Sequence, residues 1–164
     1  MTKILIAGLL VATTIPVMAQ QMEDAAATVD AARAAIEAQA AELDTDRNDV
    51  IDRDEIAAAA EAGFATFDVD GSGDIDPREF AEWPFGFYEM AQHRGQTDAY
   101  HTAFGLIFDI FDQSSDRRLD RQEFQSAMLR SLDDADSDGD GAMSHDEFLR
   151  GFVPNVALRH AMED

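Results

Sequence analysis

Five oxygen-bearing side chains stand at positions 1, 3, 5, 9 and 12 of the twelve-residue stretch 68–79. They are Asp68, Asp70, Ser72, Asp76 and Glu79, and Gly73 occupies position 6. The stretch 136–147 repeats the pattern with Asp136, Asp138, Asp140, Ser144 and Glu147, and with Gly141 at position 6. A hard dication such as calcium takes six to eight oxygens at about 2.3–2.6 Å, and a short loop wraps it only when alternate side chains turn inward. Position 7 gives a backbone carbonyl, so Asp74 and Ala142 both fit there. Position 9 acts through a water, and position 12 closes the cage with both oxygens of a glutamate. One match could be chance in an acidic chain; two in full register are not. The chemistry expected is oxygen coordination of a hard cation.

The same frame fits twice more. Asp44, Asp46, Asn48, Asp52 and Glu55 fill positions 1, 3, 5, 9 and 12 of 44–55, with Val50 at position 7 and Asp49 where glycine is expected. Asp112, Ser114, Asp116, Asp120 and Glu123 do so in 112–123, with Arg118 at position 7 and Arg117 at position 6. Position 6 must turn with φ > 0, which glycine does freely and aspartate tolerates better than arginine. The formal charges of the four loops are −4, −4, −1 and −5 in chain order, counting Asp, Glu and Arg. Three strong calcium sites and a weak one at 112–123 are therefore expected. A competing reading is helix capping, because Asp52, Asp76, Asp120 and Ser144 each precede a glutamate by three residues. Capping accounts for positions 9 and 12 but not for the three oxygens upstream.

The elements that must hold these loops are also legible. Position 8 is apolar throughout (Ile51, Ile75, Leu119, Met143), as are the residues just after each loop (Ile56, Phe80, Phe124, Phe148). Phe64, Phe67, Phe108, Phe111 and Leu132 precede loops at helical spacing, giving each flanking helix one buried stripe. With these residues in view, the chain resembles the EF-hand superfamily over residues 30–153, in a layout similar to calmodulin-like four-hand proteins. The resemblance implies an all-α fold of helix–loop–helix units, with short two-stranded ladders between paired loops. Loop starts at 44, 68, 112 and 136 give intervals of 24, 44 and 24 residues. Two lobes are expected: 20–94, pairing the first two loops through Ile51 and Ile75, and 95–164, pairing the last two through Leu119 and Met143. Helices are expected over 27–43, 54–66, 77–93, 97–111, 121–133 and 145–153.

Residues 1–19 read as a cleaved secretory signal. Lys3 gives the positive start, residues 4–15 the apolar stretch, and Val17-Met18-Ala19 the cleavage site. That apolar stretch is shorter than the roughly 20 residues a membrane span needs. The chain has no cysteine, which excludes a lipid-modified N-terminal cysteine, a disulfide or a thiolate metal site. A periplasmic or secreted protein without a membrane anchor is expected. The formal charge of −22 becomes −23 once Lys3 leaves with the signal. Such acidity excludes nucleic acid as an ordinary partner.

Outside the loops, the aromatic run 82–88 reads as core in preference to a lid over a target groove. His93, His101, His145 and His160 lack zinc-ligand spacing, and no nucleophile–base set or phosphate loop is present, so an enzyme is not expected. The function expected is calcium binding, as a constitutively loaded buffer or adaptor module. Two alternatives stay open: a calcium-dependent sensor that regulates a partner protein, and a lanthanide-binding protein of the lanmodulin family. The latter shares an acidic position 9 at Asp52, Asp76 and Asp120. It differs at position 2, characteristically proline there and here Thr45, Val69, Gln113 and Ser137.

Overall fold

A computed structural model describes residues 33–34, 36–82 and 87–156. The expected signal at 1–19 lies outside the described residues, as do Trp83 to Gly86. The described chain is mostly helical, in keeping with the all-α class. Helix α1 covers the helical residues 33–34 and 36–43. There follow β1 (Val50–Ile51), α2 (Arg53–Phe67), α3 (Pro77–Ala81), α4 (Phe87–Arg94), α5 (Thr97–Phe111), α6 (Arg121–Ala135), β2 (Met143–Ser144) and α7 (His145–Gly151). No described helix is long and apolar enough to cross a membrane.

The expected helix 77–93 is two helices. α3 ends at Ala81, with the Glu82 N–H bonded to the Arg78 carbonyl at 2.8 Å. Pro84 follows in the sequence, and without an N–H it cannot continue the bonding ladder. Tyr88, from the aromatic run, packs against the core and lies 5.7 Å from the Tyr100 ring.

The pairing of the loops differs from expectation. β1 and β2 are antiparallel, with Val50 opposite Ser144 and Ile51 opposite Met143. Ile75 and Leu119 exchange both backbone bonds at 2.9 Å. The first loop thus pairs with the fourth and the second with the third, in place of the first with the second and the third with the fourth. Helix geometry explains it. α2 links loop 44–55 to loop 68–79 as one 15-residue helix, which at 1.5 Å per residue holds them roughly 22 Å apart. Paired strands must approach to about 5 Å. α6 separates loops 112–123 and 136–147 in the same way. α2 packs along α6 in antiparallel fashion, so each end of this helix pair brings together loops from different halves of the chain. Arg53 near the start of α2 pairs with Asp133 near the end of α6, and Arg121 at the start of α6 reaches Glu61 of α2 at 2.5 Å. The Arg121 guanidinium also lies 4.5 Å from the centre of the Phe64 ring.

The cores follow the loop pairs and not the expected halves on either side of Gly95. One cluster gathers Ile36, Ile51 and Ile56 with Leu132, Met143 and Phe148. The other gathers Phe64, Ile75 and Phe80 with Phe108, Leu119 and Phe124. Phe104 and Met128 pack against both. The four position-8 residues, Ile51, Ile75, Leu119 and Met143, are each 0% exposed. Burying one such side chain contributes about 1.5–3 kcal/mol, so each ladder anchors the middle of its two loops in a core.

Candidate metal centres

Each of the four loops is strung between two helix ends, and capping chemistry sets its oxygens. Position 1 follows a helix: the N–H groups of Asp44, Asp68, Asp112 and Asp136 bond to Ala40, Phe64, Phe108 and Leu132 carbonyls at 2.8–3.0 Å. Position 9 is the N-cap of the next helix, and position 12 its third residue. A reciprocal capping box is present at Asp52/Glu55, Asp76/Glu79, Asp120/Glu123 and Ser144/Glu147. Capping and ligand placement are therefore one arrangement, not rival readings: the box aims the position-12 carboxylate into the loop.

The glutamate then reaches across. One oxygen accepts from the position-9 N–H, at 3.1 Å in Glu55 and 3.0 Å in Glu79. The other accepts from the opposite end of the loop: Thr45 N–H at 2.6 Å, Val69 N–H at 2.9 Å, Ser114 N–H at 2.8 Å and Ser137 N–H at 2.8 Å. The Thr45 and Ser137 hydroxyls also donate to Glu55 and Glu147, at 2.9 and 2.7 Å. Position 1 folds the loop from the other side. Asp44 accepts from Asn48 and Asp49 N–H groups at 3.0 Å, and Asp68 from Ser72 and Gly73 at 2.9 and 3.0 Å. Asp112 accepts from Asp116 and Arg117, and Asp136 from Asp140 and Gly141.

Three loops bring carboxylates together. Oxygens of Asp44, Asp46 and Glu55 lie within 4.8 Å of one another, as do those of Asp68, Asp70 and Glu79, and of Asp136, Asp138 and Glu147. Loop 112–123 gives no such trio among the described residues, since Ser114 stands where the others carry Asp. Donor sets composed wholly of carboxylate, hydroxyl and carbonyl oxygen suit calcium and other hard cations, and exclude soft metals.

Backbone conformation separates the loops as well. Positions 4 and 6 both have positive φ in every loop. They are Gly71 and Gly73, and Gly139 and Gly141, in two loops, but Arg47 and Asp49 (φ 60° and 68°) and Ser115 and Arg117 (φ 59° and 65°) in the others. The position-4 requirement was missed in the sequence, where Gly71 and Gly139 at matching places could have revealed it. A side chain held in the left-handed region costs roughly 1–2 kcal/mol.

Electrostatics tie paired loops together. Arg118 of one loop lies 3.6 Å from Asp74 of its partner. His145 Nε2 lies 3.5 Å from Asp44 Oδ2, across the other pair, a contact that ligand spacing alone did not reveal. Burial pushes the Asp44 carboxyl up, but N–H bonds from Asn48, Asp49 and Arg47 and the nearby His145 outweigh it, leaving the group below the usual carboxylate range. The Ser137 hydroxyl, with the Ser144 and Ser137 N–H groups, holds Glu147 down to about 2 from 4.5. A lowered value stabilises the fold above pH 4.5, and that contribution disappears as pH falls toward 2.

No family model matches the chain. Among curated proteins it is similar to lysophosphatidylcholine acyltransferase 2 of Danio rerio. The two are 34% identical over 112 residues, which take in 61% of this chain and 20% of that protein. The chain thus spans about a fifth of the length of the curated relative it matches.

Proposed function

We propose that the chain is a metal-binding protein of the EF-hand kind, holding calcium in loops 44–55, 68–79 and 136–147, with a weak fourth site at 112–123. The observation that carries this reading is the convergence of three carboxylates within 4.8 Å in those three loops, each trio closed by a capping-box glutamate. The likeness to an acyltransferase touches a fifth of that protein, and we read this chain as a binder and not a catalyst. A secreted buffer or adaptor, loaded at the 10⁻⁴–10⁻³ M affinities typical of extracellular modules, agrees with the sequence of residues 1–19.

The test is Glu79→Gln. The amide keeps the size of the side chain and one acceptor oxygen for the Asp76 N–H, while removing the negative charge of the clamp and the second oxygen that accepts from Val69 and Asp70. Calcium stoichiometry in equilibrium dialysis should fall by one ion; an unchanged count would remove Glu79 from the ligand set.

Loop 112–123 offers the reverse experiment. Ser114→Asp combined with Arg117→Gly adds the missing carboxylate, removes a positive charge and relieves a φ of 65°. The relief alone should be worth about 1 kcal/mol in chemical denaturation, the gain being partly offset by the entropy of a new glycine. The double variant should bind one more strong calcium than the natural chain. Equal counts would mean that charge and strain do not set the ranking.

A further inference from the structure

A cavity of about 270 Å³ opens on the exposed face of α5. Gly105, Leu106 and Asp109 line it, at spacings that place them on one side of the helix. Pro77, which begins α3, and Arg117 of loop 112–123 line it as well. Phe108 gives it an apolar wall from the core, and Leu106 is a large apolar side chain left 61% exposed.

Two of these residues depart from what the fold favours. Arg117 holds a φ of 65°, where Gly73 and Gly141 adopt the left-handed region freely at the same loop position. Gly105 lies inside a 15-residue helix, where alanine would be more stable. Packing does not require it, because a Cβ there would meet nothing within 4 Å. Strain at Arg117 keeps a guanidinium at the cavity, and the bare Gly105 keeps the cavity open. Backbone strain of this kind collects where a side chain is used. Of the three arginines at 117, 118 and 121, Arg118 pairs with Asp74 and Arg121 with Glu61. Arg117 and Asp109 form no ion pair among the described residues, with each other or with any other group. His101, also at the cavity, packs its ring against those of Tyr88 and Tyr100. One cation and one anion thus border a small space without neutralising each other.

We infer that this cavity binds an apolar α-amino acid in its zwitterionic form. The carboxylate takes the planar fork of Arg117 in paired N–H bonds. The ammonium donates to Asp109, and the side chain covers Leu106 and Phe108. Charge and size decide the class. A zwitterion carries no net charge, so it escapes the repulsion that a chain of −22 exerts on anions. The space of 270 Å³ is smaller than the roughly 300–1,000 Å³ of drug-sized sites, leaving room for one amino acid and not for a nucleotide. Neither Arg117 nor Asp109 is among the proposed metal ligands, so the inference does not rest on calcium.

NMR of the Gly105 and Arg117 amides tests it, on the full chain at physiological ionic strength in calcium. Leucine is the probe; leucinamide, which lacks the carboxylate, and isocaproate, which lacks the ammonium, are the controls. Leucine should shift both resonances saturably and bind at least about tenfold tighter than either control, a difference of roughly 1.4 kcal/mol or more. Net charge alone would rank the three differently, with the leucinamide cation tightest. Arg117→Gln and Asp109→Asn should each weaken leucine by about tenfold or more, as loss of a charge-assisted bond does. Gly105→Leu, read at the Arg117 amide, should do the same by filling the space, and its exposed site spares the fold. The ranking is read whether or not calcium is taken up, so failure here and failure of the metal reading are told apart. Absence of a saturable shift, leucinamide as tight as leucine, or undiminished affinity in a folded Arg117→Gln or Gly105→Leu variant would each overturn the inference.

Discussion

Calcium at about 10 mM, a hundredfold excess over a Kd of about 10⁻⁴ M, is expected to raise the melting temperature of the protein by about 20 °C over the same sample in chelator. Three loops concentrate carboxylates within 4.8 Å of one another, and the whole chain carries −22, so repulsion loosens the fold until cations screen it. A ligand that binds only the folded state adds RT ln(1 + [L]/Kd), about 2.7 kcal/mol per site at a hundredfold excess. Three such sites add roughly 8 kcal/mol, and each kcal/mol moves the midpoint of a domain of this size by about 2–4 °C. Scanning calorimetry with chelator and with calcium reads the shift directly. Superimposable melts would mean that the carboxylate trios hold no ion of consequence.

The second large effect concerns which sites speak to each other. Glu147→Gln should abolish the site at 136–147 and weaken the one at 44–55 by about tenfold, leaving 68–79 within a factor of two, since couplings of 1–3 kcal/mol are typical of linked sites. The link is material: β1 and β2 share backbone bonds through Ile51 and Met143, and His145 lies against Asp44. Loops 44–55 and 68–79 lie at opposite ends of α2. Amide resonances of Asp49 and Gly73, followed through a calcium titration by NMR, report the two loops separately. A loss at the Arg117 amide of loop 112–123, with Asp49 spared, would restore the pairing of the third loop with the fourth and contradict the observed one.

That pairing is where the sequence misled. Candidate ligand positions are written in side-chain types at fixed intervals, so the carboxylates that converge in loops 44–55, 68–79 and 136–147 and the buried position 8 could be read without a structure. Helix starts were equally legible, because Asp52, Asp76, Asp120 and Ser144 are both caps and loop members. Pairing is a different kind of fact, set by what lies between loops. The 24-residue interval leaves only residues 56–67 between Glu55 and Asp68. Those twelve residues must serve as the exit helix of one loop and the entry helix of the next, and a single helix cannot fold back on itself. The information was present in the interval, but proximity in sequence was taken for proximity in space. A cavity of about 480 Å³ between the clusters was not legible at all, since it depends on how α2, α5 and α6 settle against one another.

The central claim is that three loops bind calcium and the fourth does so weakly, and isothermal titration of calcium into the chelator-stripped chain over a magnesium background tests it most directly. The expected isotherm shows three ions bound with comparable strength and a fourth at least about tenfold weaker, following the loop charges and the strained turn at Arg117. A featureless isotherm, or four equal sites with 112–123 among the tightest, would contradict it.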